Sequence, residues 1–168
     1  FQVLVSPTGK VERITKTTES TCVAAGTLVE TDDGERMIEH LRVGDRVWGY
    51  DLERDCRTLT TIRALRSATA GRTVTLDGTL RVTADHPIFL GGRWQNAGVA
   101  YEGGKLLNAR GETVAIGPPR WRNETVQVFD LTVDEPHNFF AGGRLVHNKS
   151  AVAERGAFDP WRLFHYTY

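Results

Sequence analysis

"VFDLTVDEPHNFFAGGRLVHN", Val128–Asn148, is the stretch whose reading decides what this chain is. Together with the preceding "TVQ" it opens as an alternating run of apolar and polar residues, the period of a half-buried strand. A Pro-His turn follows, and Ala141-Gly142-Gly143 supplies the permissive backbone for a return. The last run, "GRLVHN", reads as a strand that ends on a His–Asn pair. An asparagine carboxamide can attack its own main-chain carbonyl, closing a succinimide and breaking the bond to the next residue. That reaction is slow unless a donor meets the departing amine and a polariser meets the carbonyl. His147, beside Asn148, can serve the carbonyl; His137 can manage protons once the loop folds back. Read singly, both histidines are surface residues of a hairpin.

The rest of the chain is β in the same way. "GTLVET", "DRVWGYD", "RTVTL", "TLRVT" and "HPIFL" are short runs rich in Val, Thr, Ile and aromatics, separated by Gly- and Asp-bearing turns. Asp33-Gly34 and Asp77-Gly78 stand between alternating runs and predict hairpins. "ERMIEHL" carries no extended apolar stripe and predicts one helical turn or two. The expected fold class is an all-β domain built from hairpins.

Length and composition narrow the function. A chain of 168 residues is long enough for one domain with a real core. Lys plus Arg number 21 and Asp plus Glu number 21, a balance without the basic surplus of a nucleic-acid binder. No apolar run is long enough to span a bilayer, and no basic start with an apolar core marks a signal peptide. No membrane or nucleic-acid partner is expected, and a monomer is. Two cysteines, Cys22 and Cys56, are too few for a disulfide scaffold and leave the compartment undecided.

Two further places can carry chemistry. Cys22 stands where a polar segment gives way to the first strand, so its thiol can attack the carbonyl of Thr21 and turn the amide into a thioester. Read alone, it is a small buried hydrophobe. In "TADHP", Thr83–Pro87, a Thr three residues before a His can bring hydroxyl and imidazole to one carbonyl. The imidazole titrates near neutrality and can protonate a departing nitrogen; the hydroxyl can hold a developing oxyanion. Read alone, His86 is a structural histidine before a proline turn.

Taken in order, these stretches resemble the Hint (Hedgehog/intein) superfamily, and within it the bacterial intein-like domains of secreted and polymorphic-toxin proteins. "CVAAGTLVETDDGERMIEHLRVGDRVWGYD" is similar to the opening block, with its Gly-Thr strand and Gly44-Asp45 turn; "VTADHPIFL" is similar to the Thr-x-x-His block. "VFDLTVDEPHNFFAGGRLVHN" is similar to the closing blocks, with Asp130, His137 and the final His147-Asn148. Each motif alone is loose, but their order and spacing together are specific.

The resemblance implies a flat, horseshoe-shaped all-β fold with pseudo-twofold halves, bringing both junctions of residues 22–148 into one central site. It implies flanks at 1–21 and 149–168 within a larger bacterial protein. In the implied roles Cys22 makes the N–S acyl shift, Thr83 and His86 activate that junction, and Asp130 couples the two junctions. His137 and His147 assist cyclisation of Asn148. The scissile bonds are Thr21–Cys22 and Asn148–Lys149; the substrates are the domain's own flanks, and no cofactor is needed.

Lys149 departs from the splicing pattern, which places Cys, Ser or Thr after the terminal Asn to receive the acyl group. A lysine ε-amine is mostly protonated near pH 7, its reference value being about 10.4, and is a poor acceptor. Ser150 stands one residue too late. Cleavage is therefore expected as the main outcome and joining of the flanks as a minor one. Lys149 also favours a rival reading, a silent or conditionally locked Hint-like β scaffold. Cys22, His86, His137 and His147 could hold Zn²⁺, but their spacings fit no dedicated zinc motif, so zinc is expected only as an inhibitor. No Ser/His/Asp arrangement supports a protease acting in trans.

Overall fold

Every extended run singled out above becomes a strand, and strand pairing is antiparallel throughout the named elements. The structure, a computed structural model, describes residues 21–148. Of the expected flanks at 1–21 and 149–168, all but Thr21 lie outside the described residues. Fifteen strands run in chain order: β1 Val23–Ala24, β2 Leu28–Thr31, β3 Gly34–Met37, β4 Arg46–Asp51, β5 Cys56–Ala70, β6 Thr73–Leu76, β7 Leu80–Val82 and β8 Pro87–Leu90. Then come β9 Arg93–Asn96, β10 Lys105–Leu107, β11 Thr113–Ala115, β12 Arg120–Arg122, β13 Val126–Val133, β14 Asn138–Ala141 and β15 Arg144–His147. They lie in the order β11-β10-β8-β15-β14-β2-β4-β5-β13-β1-β7-β6-β12, with β3 on β2 and β9 on β8.

Both predicted hairpins form. Thr31 faces Gly34 across Asp32-Asp33, and Leu76 faces Leu80 across a loop in which Asp77 and Gly78 both take positive φ. In "ERMIEHL" the first residues extend β3, and only Ile38–His40 make a short 3₁₀ turn. A second such turn, Ala97–Val99, follows β9. Among the described residues no helix is long and apolar enough to cross a membrane.

The sheet has two lobes joined by one long strand. The first residues of β5 pair with β4, Cys56 through Thr61 against Asp51 through Arg46. Its remainder pairs with β13, Ala70 against Val126 down to Ile62 against Val133, with a register shift at Thr132/Val133. Its sequence, "CRTLTTIRALRSATA", sets Thr, Arg and Ser between its apolar residues and buries only Thr60 and Ile62, which is why no apolar run announces it.

Strand β14, "NFFA", is buried at all four positions. Phe139 enters the larger core with Val23, Val82, Phe129, Leu131 and Val146. Phe140, pointing the other way as alternation requires, joins Tyr50, Trp94, Leu107 and Leu145, and meets Tyr50 edge-on at 6.3 Å. Cys22, Ala24 and Val128 form a third, small cluster at β1. Cys56, by contrast, is exposed at the start of β5.

One residue ties β14 to β4 without a strand ladder. Asn138 accepts from the Tyr50 amide with Oδ1 at 2.8 Å and donates through Nδ2 to the Tyr50 carbonyl at 3.0 Å. Both bonds are buried and bridge 88 residues of sequence. This approach needs a glycine beside it: a Cβ on Gly49 would fall 2.5 Å from the Asn138 carbonyl oxygen and 2.6 Å from its Oδ1. Gly142 is similarly constrained, since a Cβ there would strike the Thr79 carbonyl. Gly49→Ala must push β4 off β14, and such overpacking typically costs about 1–3 kcal/mol. A urea titration should show Gly49→Ala destabilised by about 2 kcal/mol; an unchanged midpoint would contradict the Asn138 clamp.

Candidate functional site

Two strands flank Cys22. Strand β1 lies between β13 and β7, with Val23 opposite Phe129 on one side and Val82 on the other. Carrying both antiparallel registers back one residue sets Cys22 level with Asp130 and with Thr83. Hydrogen bonds fix the second neighbour. The Cys22 amide donates to Thr83 Oγ1 at 3.0 Å, and the Thr83 amide donates to the Cys22 carbonyl at 3.0 Å. The Thr83 hydroxyl also reaches that carbonyl, at 3.4 Å. The sequence reading brings this hydroxyl to a carbonyl without saying which; the geometry sets it between the Cys22 nitrogen and the Cys22 carbonyl. Asp130 is half-buried, with Arg66 at 3.6 Å from its Oδ2.

The five residues Thr83–Pro87 then carry the chain from one lobe to the other. The His86 amide donates to the Thr83 carbonyl at 3.1 Å, closing a tight turn. The Ala97 amide donates to the His86 carbonyl at 2.9 Å, which holds the turn's far side. Strand β8 starts at Pro87 and pairs with β15, Val146 opposite Ile88. Extending that register by two residues sets Asn148 level with His86. Thr83 beside Cys22 and His86 beside Asn148 are thus separated by three residues, roughly 10 Å of chain at full extension.

Asn148 is held from the other side by the loop between β13 and β14. Its amide donates to the His137 carbonyl at 2.7 Å, continuing the β14–β15 ladder. Its side-chain Nδ2 donates to the Val133 carbonyl at 3.0 Å, and His137 Nδ1 lies 3.0 Å from the same oxygen. A carbonyl oxygen only accepts, so His137 Nδ1 carries the hydrogen and its Nε2 offers the lone pair in a neutral ring. His137 takes φ 64°, a left-handed conformation that few non-glycine residues adopt. Its amide donates to the Asp134 carbonyl at 2.8 Å. Asp134 is itself anchored: Arg63 meets its carboxylate at 2.7 Å and holds it below the usual carboxylate range, with His137 adding a smaller pull. That pairing is present above the ordinary carboxylate pKa and is lost only as pH falls through the lowered one.

Burial sets the electrostatics. Cys22, Thr83, His86, His147 and Asn148 are all between 1% and 6% exposed. Asn148 Oδ1 is buried and has no hydrogen-bond partner among the described residues. The His147 ring stands edge-on to Trp94, centroids 4.7 Å apart at 81°, and Trp94 is packed in turn against Phe89. A cavity of about 510 Å³ opens beside these groups, lined by Trp94, His137, His147, Asp51, Glu53 and Glu135 among others. Tyr50, on the same wall, donates its hydroxyl to Asp55 at 2.5 Å; that bond and burial push its pKa up to about 12.

The sequence-predicted residues therefore gather around one turn: Thr21, Cys22, Thr83 and Asp130 on one side, His137, His147 and Asn148 on the other, with His86 between them. Lys149 lies outside the described residues. Among the described residues no three His, Cys, Asp or Glu side chains are placed to hold a metal ion, so Cys22, His86, His137 and His147 do not form a ready zinc cage here. Sequence reasoning missed Trp94, Asn138, Asp134 and the Val133 carbonyl. The first three sit in unremarkable strand or turn contexts, and a main-chain carbonyl has no signature in sequence at all.

The model of the pretoxin HINT domain family matches residues 28–153. A bacterial intein-like domain from Clostridium thermocellum is similar in structure, with a TM-score of 0.72 at 26% identity over 77% of this chain and 99% of that one. A DnaB intein from Synechocystis (TM-score 0.66, 20% identity, 77% and 99% covered) and the gp41-1 intein (0.63, 20%, 76% and 98%) share the fold. No curated protein matches the chain. The expected all-β Hint architecture is the one observed, and this chain belongs to the pretoxin HINT domain family, a group of intein-like self-processing domains.

Proposed function

We propose that residues 22–148 cut their own two flanks from the chain in a single turnover. The observation that carries this reading is the Thr83–Pro87 turn, which abuts Cys22 at one end and Asn148 at the other. At the first junction the Cys22 thiol adds to the Thr21 carbonyl carbon and the C–N bond breaks. The nitrogen takes a proton, and Thr21 is left as a thioester on Sγ. Thr83 Oγ1, already on that nitrogen, orients it, and the nearby His86 is the proton donor. Water then hydrolyses the thioester, giving a Thr21 carboxylate and regenerating the thiol.

At the second junction Asn148 Nδ2 adds to the Asn148 carbonyl carbon, the bond to Lys149 breaks, and a succinimide remains. The proton shed by Nδ2 is balanced by the one gained on the Lys149 α-amine. The Val133 carbonyl orients Nδ2, His137 and His147 handle the protons, and His86, level with Asn148 in the extended β8–β15 register, is the group shared with the first junction. Burial keeps bulk water from competing for these hydrogen bonds. Asp130, beside Cys22 in the β1–β13 register, couples the two cuts in this reading. Cleavage dominates over ligation because Lys149 offers no ready acyl acceptor.

Intact-mass measurement of the purified chain at neutral pH should show loss of the residues after Asn148, leaving a succinimide, and loss of those before Cys22, faster with added thiol. Asn148→Ala should abolish the first product and Cys22→Ala the second, each by more than 100-fold. A mass that stays at 18.7 kDa for days would support the silent scaffold instead. In the same assay Lys149→Cys should raise the ligated-flank product at least tenfold; no increase over the parent would remove the acceptor argument.

A further inference from the structure

The cavity beside the second junction has a charge character that the cleavage chemistry does not use. Glu53 and Glu135 are exposed on its rim, and neither has an ion-pair partner among the described residues. Asp51 is the third carboxylate. Its Oδ1 accepts from the Glu53 and Arg54 amides at 3.0 Å, and Arg54 stands 3.9 Å from its Oδ2. The apolar walls come from Trp94, Leu52 and Pro136. This combination, an aromatic and aliphatic floor under carboxylates, suits a long apolar stem that ends in a cation.

The chain supplies such a side chain at the right place. His147 lines the cavity, Asn148 follows it, and the next residue is Lys149. We propose that this cavity seats the Lys149 side chain, its ammonium received by Glu53 and Glu135, so that the second junction is selective for a basic residue after Asn148. The inference rests on the cleavage reading above and deepens it. Seating the ammonium between carboxylates does two things. It orients the Asn148–Lys149 bond against His137 and His147, and it engages the ε-nitrogen in an ion pair, so the lysine stays a leaving segment and does not become an acyl acceptor. Lys149, which departs from the splicing pattern, is then a recognition element.

The chain has only four lysines, Lys10, Lys16, Lys105 and Lys149, which makes a zero-length carbodiimide crosslink informative. The full chain carrying Asn148→Ala, which holds the second junction uncut, should yield isopeptide links from Lys149 to Glu53 or Glu135, diminished at high salt. Links from Lys10 or Lys16 to those glutamates in their place, or no links to them, would overturn the proposal. That result does not depend on whether the parent chain processes. In the processing assay, Lys149→Glu should slow release of the C-terminal segment about fivefold, as expected for a partly exposed ion pair, while Lys149→Arg retains the parent rate. Adding Glu53→Lys and Glu135→Lys to the Lys149→Glu chain should restore it. Release of the Lys149→Glu chain at the parent rate would contradict the seat while leaving the cleavage reading intact.

Discussion

The arrangement depends on one constraint, the pairing of Cys22 with Thr83. Two hydrogen bonds of 3.0 Å, one from each amide, lock the start of β1 to the end of β7. Because β7 is followed within five residues by β8, and β8 pairs with β15, that lock also fixes where Asn148 can be. Two positions at opposite ends of the described chain thus become neighbours of a single turn. No local preference could achieve this: both pairings are long-range, and each closes a loop whose entropy must be offset by buried contacts. The surrounding residues, Val23, Val82, Phe129 and Val146, are all in the larger core and are fully or nearly buried.

Strand β13 provides the second link between the junctions. It carries Asp130 beside Cys22 and ends at Val133, whose carbonyl receives both Asn148 Nδ2 and His137 Nδ1. The register shift at Thr132/Val133 falls just before that carbonyl, and bulges of this kind re-aim groups near sites. Thr83, His86, His147 and Asn148 are all buried here.

The strands that carry the site were legible from alternation, as were the hairpins at Asp33-Gly34 and Asp77-Gly78. The motif residues gather as their order implied, because Thr-x-x-His is a turn between two strands and His-Asn is a strand end. The longest strand, β5, was not legible. Only Thr60 and Ile62 are buried in it, its exposed positions include Arg57, Arg63 and Arg66, and its partners β4 and β13 supply what its own pattern lacks. Nor was β14, whose four buried residues show no alternation because both faces are covered. The Asn138–Tyr50 clamp and the Trp94–His147 contact join residues far apart in sequence, and nothing in either segment announces its partner.

The central claim is that one turn serves both junctions. It is tested most directly by the single change His86→Ala, with the rates of N-terminal and C-terminal release followed separately by intact mass. A shared site predicts that both rates fall, each at least tenfold, although His86 adjoins neither scissile bond in sequence. Loss of N-terminal release with C-terminal release unchanged would show two independent sites and would contradict the account.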